Sequence, residues 1–147
     1  MSGFELSEWI ACSPKRVFKF ITDSNNAPRI VPSVKSSVKL TDGPIKVGTR
    51  YRETRLMHGK EQSAELEVSE YAEPNVYAMR NVTDGIETVY RYTLQPEKDG
   101  TRINLVCEVK SVGIKKLMLP LVAIILKKED GAHLQRLKQV LEEQMTA

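Results

Sequence analysis

The sequence predicts an α+β fold: a curved, seven-stranded antiparallel sheet wrapped around one long C-terminal helix, with two short helices after the first strand. Three observations carry the prediction. From Val34 to Val109 the chain runs in short apolar/polar alternations, each closed by turn-forming residues. From Gly113 to Met145, GIKKLMLPLVAIILKKEDGAHLQRLKQVLEEQM, the apolar residues recur instead at helical spacing. A sheet with one apolar face must also be covered, and no other stretch has the length and apolar surface to do it. A helix of about 30 residues is roughly 45 Å long, enough to cross the whole sheet.

At 147 residues the chain fits a single domain, 1–147, that buries roughly two-thirds of the surface of its unfolded form. With 41% hydrophobic and 28% charged residues, the composition is that of an ordinary globular protein. The net charge is +3, but Lys and Arg are interspersed with Asp and Glu, so no nucleic-acid partner is expected. Lys115/Lys116 and Lys127/Lys128 bracket the apolar run Leu117 to Leu126. That pattern fits a solvated rim around a buried segment, or a weak membrane-surface contact. The run is far shorter than the about 20 residues a membrane span needs. Met1 to Ile10 lacks the basic start and apolar run of a secretory signal, which points to the cytoplasm. Cys12 and Cys107 have no metal or redox spacing and read as reduced core residues. No metal-binding, nucleophile-elbow or phosphate-loop motif occurs, so neither metal nor cofactor is expected.

The elements follow in order. Phe4 to Ala11 alternates imperfectly and reads as the first strand, with Phe4, Leu6 and Ile10 on one side. Glu8 interrupts that row and reads as a strand-end carboxylate. Ser13-Pro14 starts a helix, serine as N-cap and proline where a missing N–H costs nothing. Val17, Phe18 and Ile21 form its buried face; a second short helix fits between Asn25 and Val31, closed by Pro32. Asp42-Gly43-Pro44, His58-Gly59, Pro74-Asn75, Asp84-Gly85 and Asp99-Gly100 then mark turns. They delimit strands near Val34–Leu40, Gly48–Met57, Gln62–Tyr71, Val76–Val82, Glu87–Gln95 and Arg102–Lys110. The last two alternate most clearly, with Tyr90, Tyr92 and Leu94 on one inward face and Ile103, Leu105, Cys107 and Val109 on the other. Arg50 to Arg55 is polar on both sides: it bends over solvent, or one face places Tyr, Glu and Arg in a wet cavity.

In the C-terminal helix one stripe collects Leu119, Val122, Ala123, Leu126, Leu134, Leu137, Val140 and Leu141. Asp130 and, at its edge, His133 fall on the same stripe. Gly131 between them can bend the helix and turn both side chains to water, and the polar run Lys127 to Gly131 favours such a solvent-exposed joint. The alternative is a buried acid/base pair. Pro120 either marks the first helical turn or kinks a longer helix. If it kinks, Leu117, Leu121, Ile124 and Ile125 make a second apolar face that serves as portal, homodimer contact, membrane patch or packing surface.

The opening Ile10-Ala11-Cys12-Ser13-Pro14-Lys15-Arg16-Val17-Phe18-Lys19-Phe20-Ile21-Thr22-Asp23, the Pro28-Arg29-Ile30-Val31-Pro32 segment, Val47-Gly48-Thr49-Arg50, Gly100-Thr101 and Leu134-Gln135-Arg136-Leu137-Lys138 carry a family likeness. With the element order, they make the chain resemble the START-like or SRPBCC superfamily with the helix-grip fold, and within it the small polyketide cyclase/dehydratase-like proteins. The resemblance covers the whole chain. It implies a cavity for a hydrophobic or amphipathic small molecule, such as a lipid, polyketide or isoprenoid-like compound. Its motifs are caps, turns and core positions, and they carry over no catalytic residue.

A ligand held between sheet and helix would meet Tyr90, Tyr92, Leu105, Cys107, Leu119, Ala123, Leu126 and Asp130. Two functions remain open. A carrier needs an apolar cavity with one or two hydrogen-bonding groups. A cyclase- or dehydratase-like enzyme needs Asp130 or His133 facing the cavity, with Tyr90 or Tyr92 opposite and Trp9 as a further aromatic wall.

Overall fold

The structure is a computed structural model that describes residues 2–111 and 117–146. Its elements are β1 (Ser2–Ile10), α1 (Pro14–Thr22), a 3-10 turn (Ser24–Asn26), α2 (Ala27–Ile30), β2 (Val34–Lys39), β3 (Arg50–Met57), β4 (Lys60–Ala72), β5 (Val76–Thr83), β6 (Ile86–Glu97), β7 (Gly100–Lys110), α3 (Leu119–Asp130) and α4 (His133–Thr146). The seven strands form one antiparallel sheet in the order β1-β7-β6-β5-β4-β3-β2, so β2 to β7 are a meander and β1 returns to pair with β7. Ser13 caps α1 by accepting from the Arg16 N–H at 3.3 Å, with Pro14 at the helix start.

Two hairpins have the chemistry that their sequence demands. His58-Gly59 (φ 52° and 76°) joins Met57 to Lys60, and Asp84-Gly85 (φ 53° and 78°) joins Thr83 to Ile86. Positive φ at both central residues matches the right-handed twist of the flanking strands. The hairpin expected at Asp99-Gly100 instead turns on Lys98-Asp99, with Lys98 at φ 53° and Gly100 already paired to Glu97 in β7. Gly100 is needed for close approach: a Cβ there would lie 2.2 Å from the Ile10 carbonyl oxygen and 2.8 Å from the Trp9 ring.

Two cross-strand rows explain where the sheet is core and where it is not. Tyr77, Tyr92, Leu105 and Leu6 stand side by side across β5, β6, β7 and β1, and Met79, Tyr90, Cys107 and Phe4 form the row beside them. Each row is apolar on β7 and β1 and carries hydroxyl groups on β6. The C-terminal helix covers the apolar end. Leu119 packs with Phe4, Cys107 and Val109, joined by Val122 and Leu126, while Leu134, Leu137 and Leu141 are buried with Ile10, Leu94, Ile103 and Leu105. Lys138 fixes α4 to β1 by donating to the Trp9 carbonyl at 2.7 Å, and Glu142 accepts from the Ala11 N–H at 2.9 Å.

The long helix is present, but it is interrupted. Pro120 lies in the first turn of α3, where its missing N–H breaks no helical bond. The expected start at Gly113 lies outside the described residues. Gly131 and Ala132 then form a turn between α3 and α4. Gly131 has ordinary helical angles (φ −63°, ψ −25°), yet a Cβ on it would stand 2.4 Å from the Lys127 carbonyl oxygen. The backbone as it stands at this turn leaves no room for a side chain at position 131.

This reverses a usual rule. Gly→Ala at helical angles in open space stabilises by about 0.4–1 kcal/mol. Here Gly131→Ala is expected to destabilise by roughly 1–3 kcal/mol, because the added methyl meets backbone. Urea denaturation should show a lower midpoint with an unchanged slope.

Candidate functional site

Beyond the part of the sheet that the C-terminal helix fills lies a cavity of about 110 Å³. Its walls are the inward faces of β2 to β6, the end of α1 with the 3-10 turn and α2, and the helix break at Asp130 and His133. None of its lining residues comes from β1 or β7. Ile21, Ile30, Val31, Val34, Leu66 and Met79 make it largely apolar. Tyr77, stacked on Tyr92 with ring centroids 6.3 Å apart, adds an aromatic wall.

The polar groups gather at one end. The Asp130 carboxylate is 1% exposed, and both oxygens are engaged: Oδ1 accepts from Arg55 Nη1 at 3.1 Å, Oδ2 from the Tyr90 hydroxyl at 2.7 Å. Arg55 Nε donates in turn to Glu53 Oε1 at 2.7 Å. Beside this chain, the Tyr92 hydroxyl and His133 Nε2 share a hydrogen bond of 2.7 Å. Strand geometry puts the β3 groups here, since alternate residues share a face and Tyr51, Glu53 and Arg55 all line the cavity. Arg50 and Arg52, on the other face, are exposed.

The environment fixes the charge states. Burial pushes the His133 pKa down to about 4, Arg55 adds to the effect, and Asp130 opposes it only in part, so the imidazole is neutral at pH 7. Burial, reinforced by the Asp130 charge, raises Tyr90 and Tyr92 well above the usual phenol range. Both are neutral hydroxyls. Burial alone would lower Arg55, but Glu53 and Asp130 hold it above its ordinary value. The Cys107 thiol is pushed up to about 12 by burial and is not reactive at neutral pH.

Several expectations need correction. Asp130 and His133 do not form a solvent-exposed joint: the bend redirects α4 while both residues line the cavity. The polar strand Arg50 to Arg55 does not bend over solvent on both faces, because its cavity face finds partners in Asp130 and in its own Glu53–Arg55 pair. Tyr90 and Tyr92 line the cavity with Asp130, but Leu105, Cys107, Leu119, Ala123 and Leu126 do not. α3 lies over β1 and β7, where Cys107, Leu119 and Leu126 pack with Phe4 and Val109, while Leu105 is buried with Leu134, Leu137 and Leu141 of α4. Trp9 is not a cavity wall either; its indole N–H donates to the Glu97 carbonyl at 2.8 Å and its ring lies under Lys138. Glu8 accepts from the Trp9 N–H and is not among the lining residues, as a strand-end carboxylate should be. Glu53 and Arg55 are not among the expected ligand contacts, although the wet-cavity reading of Arg50 to Arg55 allows for them. Their only signal was spacing by two on a strand with no apolar face of its own.

A curved antiparallel sheet gripping a C-terminal helix, with a cavity at the helix break, defines the helix-grip class. Within that class, the chain belongs to the polyketide cyclase/dehydrase and lipid transport family, whose model matches residues 1–142. Among solved structures it is similar to protein NE0264 from Nitrosomonas europaea (TM-score 0.79, 12% identity, covering 99% of this chain and 97% of that one). It is also similar to Ara h 8.0201 (TM-score 0.74, 17% identity, 95% and 97% covered). A third similar structure is the di-domain ARO/CYC BexL of the BE-7585A biosynthetic pathway (TM-score 0.78, 16% identity), of which this chain spans 47%. At these identities the likeness is one of fold. No curated protein matches the sequence.

The low His133 pKa has a consequence for stability. Unfolded, the imidazole takes up its proton near pH 6.5; folded, it does so near 4. Between these values the unfolded chain binds more protons, so stability falls as pH drops through that window, by up to roughly 3 kcal/mol. Denaturation midpoints at pH 7 and pH 4.5 should reveal the loss, and His133→Phe should reduce it.

Proposed function

We propose that residues 1–147 act as one domain that binds and carries an amphipathic small molecule of the lipid, polyketide or isoprenoid kind. Its apolar body lies against the aliphatic and aromatic walls of the cavity. Its polar end, a neutral carbonyl or hydroxyl, meets the group formed by Tyr90, Tyr92, Asp130 and His133. The observation that carries this reading is the neutral hydrogen-bonding groups Tyr90, Tyr92 and His133, gathered beside the paired Asp130 carboxylate at one end of an otherwise apolar cavity. Glu53, Arg55 and Asp130 carry a formal charge of −1 together, which disfavours a carboxylate-headed ligand such as a fatty acid anion. The two buried cysteines, Cys12 and Cys107, suit a reducing compartment such as the cytoplasm.

A cyclase- or dehydratase-like reaction is the second reading, favoured by Asp130 and His133 standing opposite Tyr90 and Tyr92. Proton transfer works best when the catalytic pKa lies near the working pH. His133, held at about 4, is a weak base at pH 7, and the Asp130 carboxylate is tied to Arg55. The same groups serve well as fixed hydrogen-bond partners. That balance favours binding over catalysis.

Native mass spectrometry of freshly purified protein tests the proposal. A co-purifying neutral, lipid-like mass is expected, and Tyr92→Phe should weaken its retention about fivefold, the worth of one neutral hydrogen bond. An empty protein that takes up no member of a broad apolar library would overturn it. Release of a chemically altered ligand, stopped by Asp130→Asn or His133→Phe, would establish the enzyme reading instead.

A further inference from the structure

Among the described residues, the outer face of α3 takes part in neither core cluster nor in the cavity lining. Its inner face, Leu119, Val122, Ala123 and Leu126, already supplies the packing against the sheet. Yet the outer face is apolar too. Leu117 is 84% exposed, Ile124 67%, Leu121 55%, Met118 51% and Ile125 48%. Leu117, Leu121, Ile124, Ile125 and Lys128 follow the spacing of one helical stripe. A helix that is apolar all round is ordinarily buried all round, and a contiguous apolar patch of this kind ordinarily has a partner.

The charges around the stripe identify the partner. Every exposed residue from Leu117 to Lys128 is either apolar or lysine, and Lys127 and Lys128 both stand in solvent at the end of the stripe. An apolar helical face edged by lysine, with no exposed carboxylate, is the pattern that lies in the interface of an anionic membrane. The apolar side chains enter the acyl boundary while the ammonium groups meet lipid phosphates. A second copy fits less well. Two-fold pairing of this face would bring two sets of lysines to one interface, with only the half-buried Glu129 of each copy at its border to offset them. No described helix is long and apolar enough to cross a membrane, so the contact is a surface one.

We propose that the outer face of α3 docks the protein on anionic lipid bilayers, with Leu117, Leu121, Ile124 and Ile125 inserted and Lys127 and Lys128 on the phosphates. Asp130 follows directly at the end of the same helix. Docking therefore sets the polar end of the cavity close to the bilayer surface.

Co-sedimentation of the 147-residue chain with two vesicle types tests this: phosphatidylcholine alone, and phosphatidylcholine equimolar with phosphatidylglycerol. Binding to the anionic vesicles is expected, weakening as salt is raised. Leu121→Gln with Ile124→Gln should abolish it, and Lys127→Gln with Lys128→Gln should weaken it roughly tenfold or more. These side chains are exposed, so circular dichroism and melting temperature should match the parent protein. The proposal is overturned if the protein binds neither vesicle, or if the Leu121/Ile124 variant binds as tightly as the parent. It is equally overturned if sedimentation equilibrium shows a dimer that this variant dissociates while vesicle binding is absent; the face then belongs to a second copy.

Discussion

Asp130 sits at the end of α3 with its carboxylate 1% exposed, and an ion removed so far from water costs several kcal/mol unless it is paired. The pairing draws on distant parts of the chain. Arg55 comes from β3 and Tyr90 from β6, with β4 and β5 between them in the sheet. Arg55 in turn leans on Glu53, two residues earlier on the same face. One buried carboxylate thus fixes both the rotation of α3 and its position along the sheet. Buried pairs of this kind contribute little net stability against an apolar replacement. Their effect here is to specify position, and the position they specify leaves a cavity with a polar end.

That interplay explains what the sequence disclosed and what it concealed. The strands were legible because period-two alternation and pairs such as Asp84-Gly85 act locally. The stripe of Leu134, Leu137 and Leu141 was legible for the same reason at helical period. The direction of Asp130 was not. Its local neighbourhood is polar and contains Gly131, both of which point to solvent; the residue that keeps it inside, Arg55, is 75 positions away. Arg50 to Arg55 was ambiguous in the complementary way, since a strand of charges reads as solvated until the opposing carboxylate is known. Leu105 and Cys107 were correctly read as inward. Inward on β7 means under the C-terminal helices, Cys107 against α3 and Leu105 against α4, whereas inward on β6 means into the cavity, and alternation carries no information about which strands a helix covers.

The cavity chemistry follows from the same enclosure. Removing water strengthens each hydrogen bond in the group and makes charge costly, so Tyr90, Tyr92 and His133 stay neutral. Tyr92 and His133, satisfied by one another, can exchange their bond for one to a ligand oxygen at little cost, whereas Tyr90 stays tied to the Asp130 carboxylate. A ligand carboxylate would meet the surplus negative charge of the Glu53–Arg55–Asp130 group instead. On the proposed function, selectivity between neutral and anionic amphiphiles would arise from the residues that hold the helix in place.

The outer face of α3 cannot be explained by any of this. Folding the helix does not require it: β-branched isoleucine at the exposed positions 124 and 125 is a poorer helix former than the lysine found at 127 and 128. Core packing does not require it either, because Leu119, Val122, Ala123 and Leu126 already meet the sheet. Solubility argues against it. A stretch in which propensity, packing and solvation all favour polar residues, and which is nonetheless apolar between lysines, fits the bilayer contact proposed for it. The geometry that the chain itself controls ends at Asp130, where the same helix turns from that outer surface to the cavity.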